Sequence, residues 1–158
     1  MESSTVALVA RLTLGAAFAL SAATKLARPA AFAAGLAAFG VPAPGVVARV
    51  LPPVEAGLAV ALVALPGSAA PAFAAIAVLA LFTGAVLANL AAGRETPCPC
   101  FAAEGDRPVS PATLVRNGFL LALAVVATGP VSGASPGAAA VLTCVSVVVT
   151  LGALRRFG

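Results

Sequence analysis

Histidine, tryptophan and tyrosine are absent from this 158-residue chain. Without histidine there is no imidazole base, no His-ligated haem and no His-containing metal site. Without Trp and Tyr, the aromatic belts that usually mark membrane interfaces are missing, and eight Phe are the only aromatic residues. Charge is also scarce, at 9% of residues against about 25% in an ordinary soluble domain. What remains is apolar: 61% of the chain is hydrophobic and 42 positions are alanine. Such a chain cannot cover a water-facing surface. It is also too hydrophobic for disorder. The composition leaves an all-α integral membrane protein, read as a single domain over 1–158 with lipid as its main partner. The basic residues are spread too thinly to form a nucleic-acid stripe, so no nucleic-acid partner is expected.

A membrane-crossing helix needs about 20 apolar residues. Spans are expected over about 5–24, 46–65, 69–92, 111–128 and 138–154. The second is interrupted by Pro52, Pro53 and Glu55. Ala30 to Phe39 is apolar but too short to cross, and reads as a short interfacial helix ending at Gly40. The expected architecture is thus a helical bundle of five transmembrane helices, a four-helix core plus one. The polar stretch 93–110 is its one substantial charged loop. Small residues suit close helix packing in lipid.

Orientation follows from charge. Lys25, Arg28, Arg49, Arg94, Arg107, Arg116, Arg155 and Arg156 all fall on one side of the five-span arrangement. The positive-inside rule puts that side in the cytoplasm of a bacterial inner membrane, with the N-terminus outside and the C-terminus and polar loop inside. A cleaved signal peptide is not expected, because Glu2 makes the leading residues acidic and Arg11 interrupts the apolar run.

Two ionisable residues lie within spans, where charge is costly and faces the bundle interior. Arg11 sits about a third of the way into the first span, and Glu55 near the middle of the second. At a rise of about 1.5 Å per residue their depths differ by roughly 6 Å. A buried Arg11–Glu55 ion pair is expected on that ground. An outward-reaching Arg11 and a neutral Glu55 form the alternative. Glu55 is equally placed to relay protons. Lys25, Asn89, Arg116 and Asn117 gather at the cytoplasmic helix ends, where they would cap helices and support the loop; snorkelling alone would account for Lys25 and Arg49.

Cys98-Pro99-Cys100 carries the most chemistry. Two thiols one residue apart close a strained, easily reduced ring, of the labile kind used for catalysis or regulation. Nearby Arg94 and Arg107 favour thiolates. The alternative is a pair of thiolates for a soft metal such as Cu(I), in binding or transport. A third reading is a non-catalytic membrane scaffold. Cys144, inside the fifth expected span, reads as a packing residue.

These elements, in this order, resemble the MauE/DoxX group of redox-associated membrane proteins, and within it the MauE family of methylamine utilisation. The likeness rests on Arg11-Leu-Thr-Leu-Gly15 with Lys25-Leu26, on Leu51-Pro52-Pro53-Val54-Glu55-Ala-Gly57, on Cys98-Pro99-Cys100-Phe101, and on Arg116-Asn117. It covers about 11–127. One departure is Ala102, where the group has Gly after Cys-x-Cys-Phe. The resemblance implies a helical membrane bundle. It also implies a role in maturation and disulfide formation of an amine dehydrogenase, through a thioredoxin-like or client redox protein. That client matures outside the cytoplasm, whereas the charge count puts the cysteines inside. Electron passage through another carrier, inverted topology and a cytoplasmic partner each reconcile the two. The leading expectation is a thiol redox or maturation factor, with Cys98 and Cys100 as the reacting pair and a quinone as the candidate further carrier.

Overall fold

The computed structural model describes residues 2–93 and 110–131. Five helices follow in order: α1 Glu2–Ala27, α2 Pro29–Ala38, α3 Pro44–Ala64, α4 Ala70–Ala91 and α5 Pro111–Val126. The expected 138–154 span, Cys144 and the cysteine-bearing stretch 94–109 lie outside the described residues. Three helices are long and apolar enough to cross a membrane: α1 over Ser4–Ala27, α3 and α4. The 16-residue α5 is apolar but shorter. The described residues thus form helices throughout with short connections, and three long apolar helices mark a multi-pass membrane protein by length and composition.

Proline sets the helix starts. α2, α3, α4 and α5 each carry Pro in their first turn. There the missing N–H costs nothing and the fixed φ favours the helix. α2 ends where Gly40 takes φ 75°. Val41 N–H then reaches Leu36 O at 3.0 Å and Gly40 N–H reaches Ala37 O at 2.9 Å. This paired closure needs a residue that tolerates the left-handed region. Pro52 and Pro53 do not end α3, which continues through both.

α1 packs most extensively on α3, and α4 on α5; contacts of α1 with α5 and of α3 with α4 close a four-helix ring, while α2 lies against α3. α1 presents Ala7, Ala10, Arg11, Leu14, Phe18, Ser21, Ala22 and Lys25 inward. These recur at three- and four-residue steps, one face of a helix. Of these, Ala10, Leu14 and Phe18 meet Leu58, Ala59 and Leu62 of α3, Ala72, Ala75 and Leu79 of α4, and Leu120 and Ala124 of α5 in one core. Small residues let the backbones approach: a Cβ on Gly15 would stand 3.1 Å from Val63 Cγ2 and 3.3 Å from Ala59 O. The outer surface is apolar, with Val46, Val50, Val54, Val60, Phe73, Leu81, Val115 and Phe119 exposed.

Candidate functional site

α1 carries two buried cations, at 1% exposure each, on the same face. Arg11 serves the end of the bundle where α3 and α5 finish. Its Nε donates to Ala127 O at 2.9 Å and its Nη1 to Leu65 O at 3.0 Å. Leu65 and Ala127 are the C-caps of α3 and α5. A guanidinium there satisfies carbonyls that have no partner within their own helices, and it faces the negative ends of two helix dipoles.

Lys25 serves the other end. Its ammonium pairs with Glu55 Oε1 at 2.5 Å and donates to Ser21 Oγ at 2.9 Å. Ser21 Oγ in turn donates to the same carboxylate, at 3.2 Å to Oε1 and 3.3 Å to Oε2. An ammonium has three N–H donors and no acceptor. The remaining side of Lys25 faces two aromatic rings, with Phe32 and Phe82 centroids 5.2 and 5.1 Å from Nζ. Cation–π contact of this kind gains strength where water is excluded. Glu55 is completely buried. A buried charge persists only when paired and hydrogen-bonded, and here each member satisfies the other.

The expected Arg11–Glu55 pair is therefore corrected. Glu55 bonds Lys25 and Ser21, while Arg11 bonds two backbone carbonyls at the opposite end of the helix. The physical reason is register. Gly15 lies against Ala59 and Val63, and Ser21 against Glu55. Matching the ends of the two expected spans instead displaces α3 by about six residues, or roughly 9 Å at the helical rise. The snorkelling expected of Lys25 is corrected for the same reason. Phe32 of α2 folds over the last turn of α1 and closes it from solvent, whereas Arg49 is exposed as expected.

The other expected residues divide. Asn117 is buried at 3% exposure. Asn89 is buried too, its Nδ2 donating to Ala85 O at 3.0 Å. Arg116 is half-buried on α5. Cys98, Cys100 and Arg94 lie outside the described residues. Sequence reasoning missed Ser21, Phe32 and Phe82. Ser21 was detectable, since it stands four residues before Lys25 and thus on the same helical face.

Beside the ion pair lies a small cavity where four helices meet. Leu14, Ala17, Phe18 and Ser21 of α1 line it with Glu55 of α3, Leu79 and Phe82 of α4, and Asn117 and Leu120 of α5. Its volume, counted at the centres of water-sized spheres, is about 20 Å³. Asn117 Nδ2 is buried with no hydrogen-bond partner among the described residues. Such a group costs about 1–3 kcal/mol when left unsatisfied. Among the described residues, no group of three or more His, Cys, Asp or Glu side chains is placed to hold a metal.

Residues 3–130 match the family described as methylamine utilisation protein MauE. The methylamine utilization protein MauE of Paracoccus denitrificans is 45% identical over 86 residues. That stretch is 53% of this chain and 46% of the relative, so the match spans about half of the relative's length. No solved structure matches the chain. The family match encloses all five described helices, and with them both buried cations, the carboxylate and the cavity: the chain belongs to the MauE family of methylamine utilisation proteins.

Proposed function

We propose that this chain is a membrane-embedded thiol redox factor supporting protein maturation in methylamine utilisation, with Cys98 and Cys100 as its dithiol. The observation that carries the reading is the buried Lys25–Glu55–Ser21 cluster, a polar centre kept inside an apolar bundle. The cluster lies toward the end where α1 finishes. The Cys-Pro-Cys stretch joins α4 to α5 in the sequence. Connectivity alone tethers Cys98 within about 18 Å of Gly93, at no more than about 3.6 Å per residue. A thiol cycle releases and takes up protons, and Glu55 with Lys25 supplies groups that handle them.

In the forward direction, a thioredoxin-like partner's dithiol reduces the Cys98–Cys100 disulfide. The partner leaves as a disulfide and this chain holds two thiols. Those thiols then close again, passing two electrons and two protons to a quinone, which becomes a quinol. The topology that accompanies this reading has five spans, the fifth over 138–154. The cysteines lie on the cytoplasmic face, so a client outside is served through a further carrier.

A redox titration of the purified protein with mass-spectrometric thiol trapping tests the reading. A reversible Cys98–Cys100 couple that a quinone reoxidises supports it. Tight Cu(I) binding by the same thiols with no accessible disulfide would replace it with the metal reading. Full function in a Cys98→Ser, Cys100→Ser double variant would replace it with the scaffold reading.

A further inference from the structure

The cavity at the four-helix junction is mostly apolar, yet three polar residues lie in its lining. Its apolar walls are Leu14, Ala17, Phe18, Leu79, Phe82 and Leu120. Ser21, Glu55 and Asn117 complete its lining. Asn117 is 3% exposed, and its Nδ2 has no hydrogen-bond partner among the described residues. More than nine in ten buried polar groups are satisfied in folded proteins, so an orphaned amide on a residue that lines a cavity calls for a ligand. The Glu55 carboxylate also has capacity to spare. Among the described residues, Oε1 accepts from Lys25 and Ser21, whereas Oε2 accepts from Ser21 alone, at 3.3 Å.

We infer that this cavity is the binding site of one water molecule, held between the Asn117 amide and the Glu55 carboxylate, and that this water lets the buried Lys25–Glu55 pair exchange protons. Size selects the ligand. The volume of about 20 Å³ exceeds the roughly 10–15 Å³ that a single water needs. Chemistry selects it too. The ligand must accept from an amide N–H and donate to a carboxylate at once, and water does both. It also serves Asn117 whichever way the amide is turned.

The exchange step balances without electrons. Lys25 Nζ passes a proton to the Glu55 carboxylate, the carboxylate passes one to the water, and a solvent proton returns along the same atoms. The net charge of the pair is unchanged. Asn117 is then a positioning residue that seats the water. The inference stands independently of the cysteines.

Lys25 is the sole lysine in the chain, so protein labelled with ¹⁵Nζ-lysine gives a single ammonium signal. The experiment uses the full chain in detergent micelles, carrying Cys98→Ser and Cys100→Ser so that thiol chemistry plays no part. In the parent, the Lys25 ammonium should exchange with D2O within minutes despite its burial. A cross-peak should also link the Asn117 side-chain amide to water. Asn117→Leu fills the cavity and should slow the exchange at least tenfold. Asn117→Ala enlarges it and should leave exchange as fast or faster. A Lys25 signal protected for hours in the parent would overturn the inference. So would equal slowing by Leu and Ala, which is the mark of a purely structural asparagine. If Asn117→Leu does not fold, the parent exchange rate and the alanine variant still decide the matter.

Discussion

Lys25 and Glu55, thirty residues apart in the chain, close on each other at 2.5 Å and share Ser21 between them. The contact ties the last turn of α1 to the middle of α3, across the most extensive helix interface in the bundle. It is made in the same register as the fit of Gly15 against Ala59 and Val63, and it suits that register, because a buried carboxylate must stand opposite its cation. Polar partners inside a membrane protein thus do for helix pairs what hydrophobic periodicity does in water.

Breaking this pair from one side should be far more damaging than removing it whole. Lys25→Met leaves Glu55 buried without its counter-charge, and a loss of about 3–5 kcal/mol is expected. Glu55→Gln in the same chain removes the stranded charge and should restore most of that loss. Thermal unfolding of the purified protein in detergent compares the two single variants with the double. A double variant no more stable than either single would show that the pair does not act as a unit.

Arg11 should behave as an independent staple. Arg11→Leu removes two charge-assisted hydrogen bonds to the C-cap carbonyls of α3 and α5, each worth about 1.5–3 kcal/mol. Arg11→Lys keeps the charge but has no second donor arm to bridge Leu65 and Ala127, so it should recover only part of the loss. Arg11 and Glu55 have no shared partner among the described residues. Their double variant should therefore be additive to within about 0.3–0.5 kcal/mol. A coupling well above that would restore the direct pairing that the sequence predicts.

Most of the scaffold was legible in the residues, and the reason is physical. Apolar runs bounded by Pro, Gly and Arg mark helix ends by local chemistry, so α4 and α5 form over the apolar stretches 69–92 and 111–128, although α5 falls short of the length that crosses a membrane. Partner choice was not legible. Arg11, Lys25 and Glu55 were all singled out, but which cation meets the carboxylate depends on how far α1 slides along α3. That offset is fixed by Gly15 fitting against Ala59 and Val63, and by α2 folding back to cover Lys25 with Phe32. Neither is a property of any one segment. Asn117 was noted as a helix-end residue, yet its place at the junction cavity needs four helices together.

Gly15 offers a direct probe of that offset. A methyl group at this position would stand 3.1 Å from Val63 Cγ2 and 3.3 Å from the Ala59 carbonyl oxygen. The valine can turn, and for one methyl the carbonyl need give only slightly, whereas a larger side chain would drive into the α3 backbone. Gly15→Ala should therefore cost little, while Gly15→Leu should force the helices apart at about 1–3 kcal/mol or more. Val63→Ala should relieve the alanine variant but not the leucine one, since only the side-chain contact is removable. Unfolding temperatures of the four variants check this. An unperturbed Gly15→Leu would mean that α1 and α3 are not packed this closely.

The last prediction concerns the side of the membrane on which the cysteines react. Lys25, Arg28 and Arg49 belong to the end of the bundle where α1 finishes and α3 begins. Arg116 lies in the second turn of α5, and Arg94 follows directly on the C-terminal end of α4. The proposed orientation puts that end in the cytoplasm, as the positive-inside rule expects. An impermeant maleimide added to intact cells should therefore leave Cys98 and Cys100 unlabelled, and should label them once the inner membrane is opened. The control is a single cysteine in place of Ser68, at the turn between α3 and α4, which should label from outside before the membrane is opened. Labelling of Cys98 or Cys100 in intact cells with Ser68→Cys protected would invert the orientation and place the dithiol where an external client could meet it directly. The chemistry proposed for the pair would survive that result, but its partner would change from a cytoplasmic thioredoxin-like protein to the client itself.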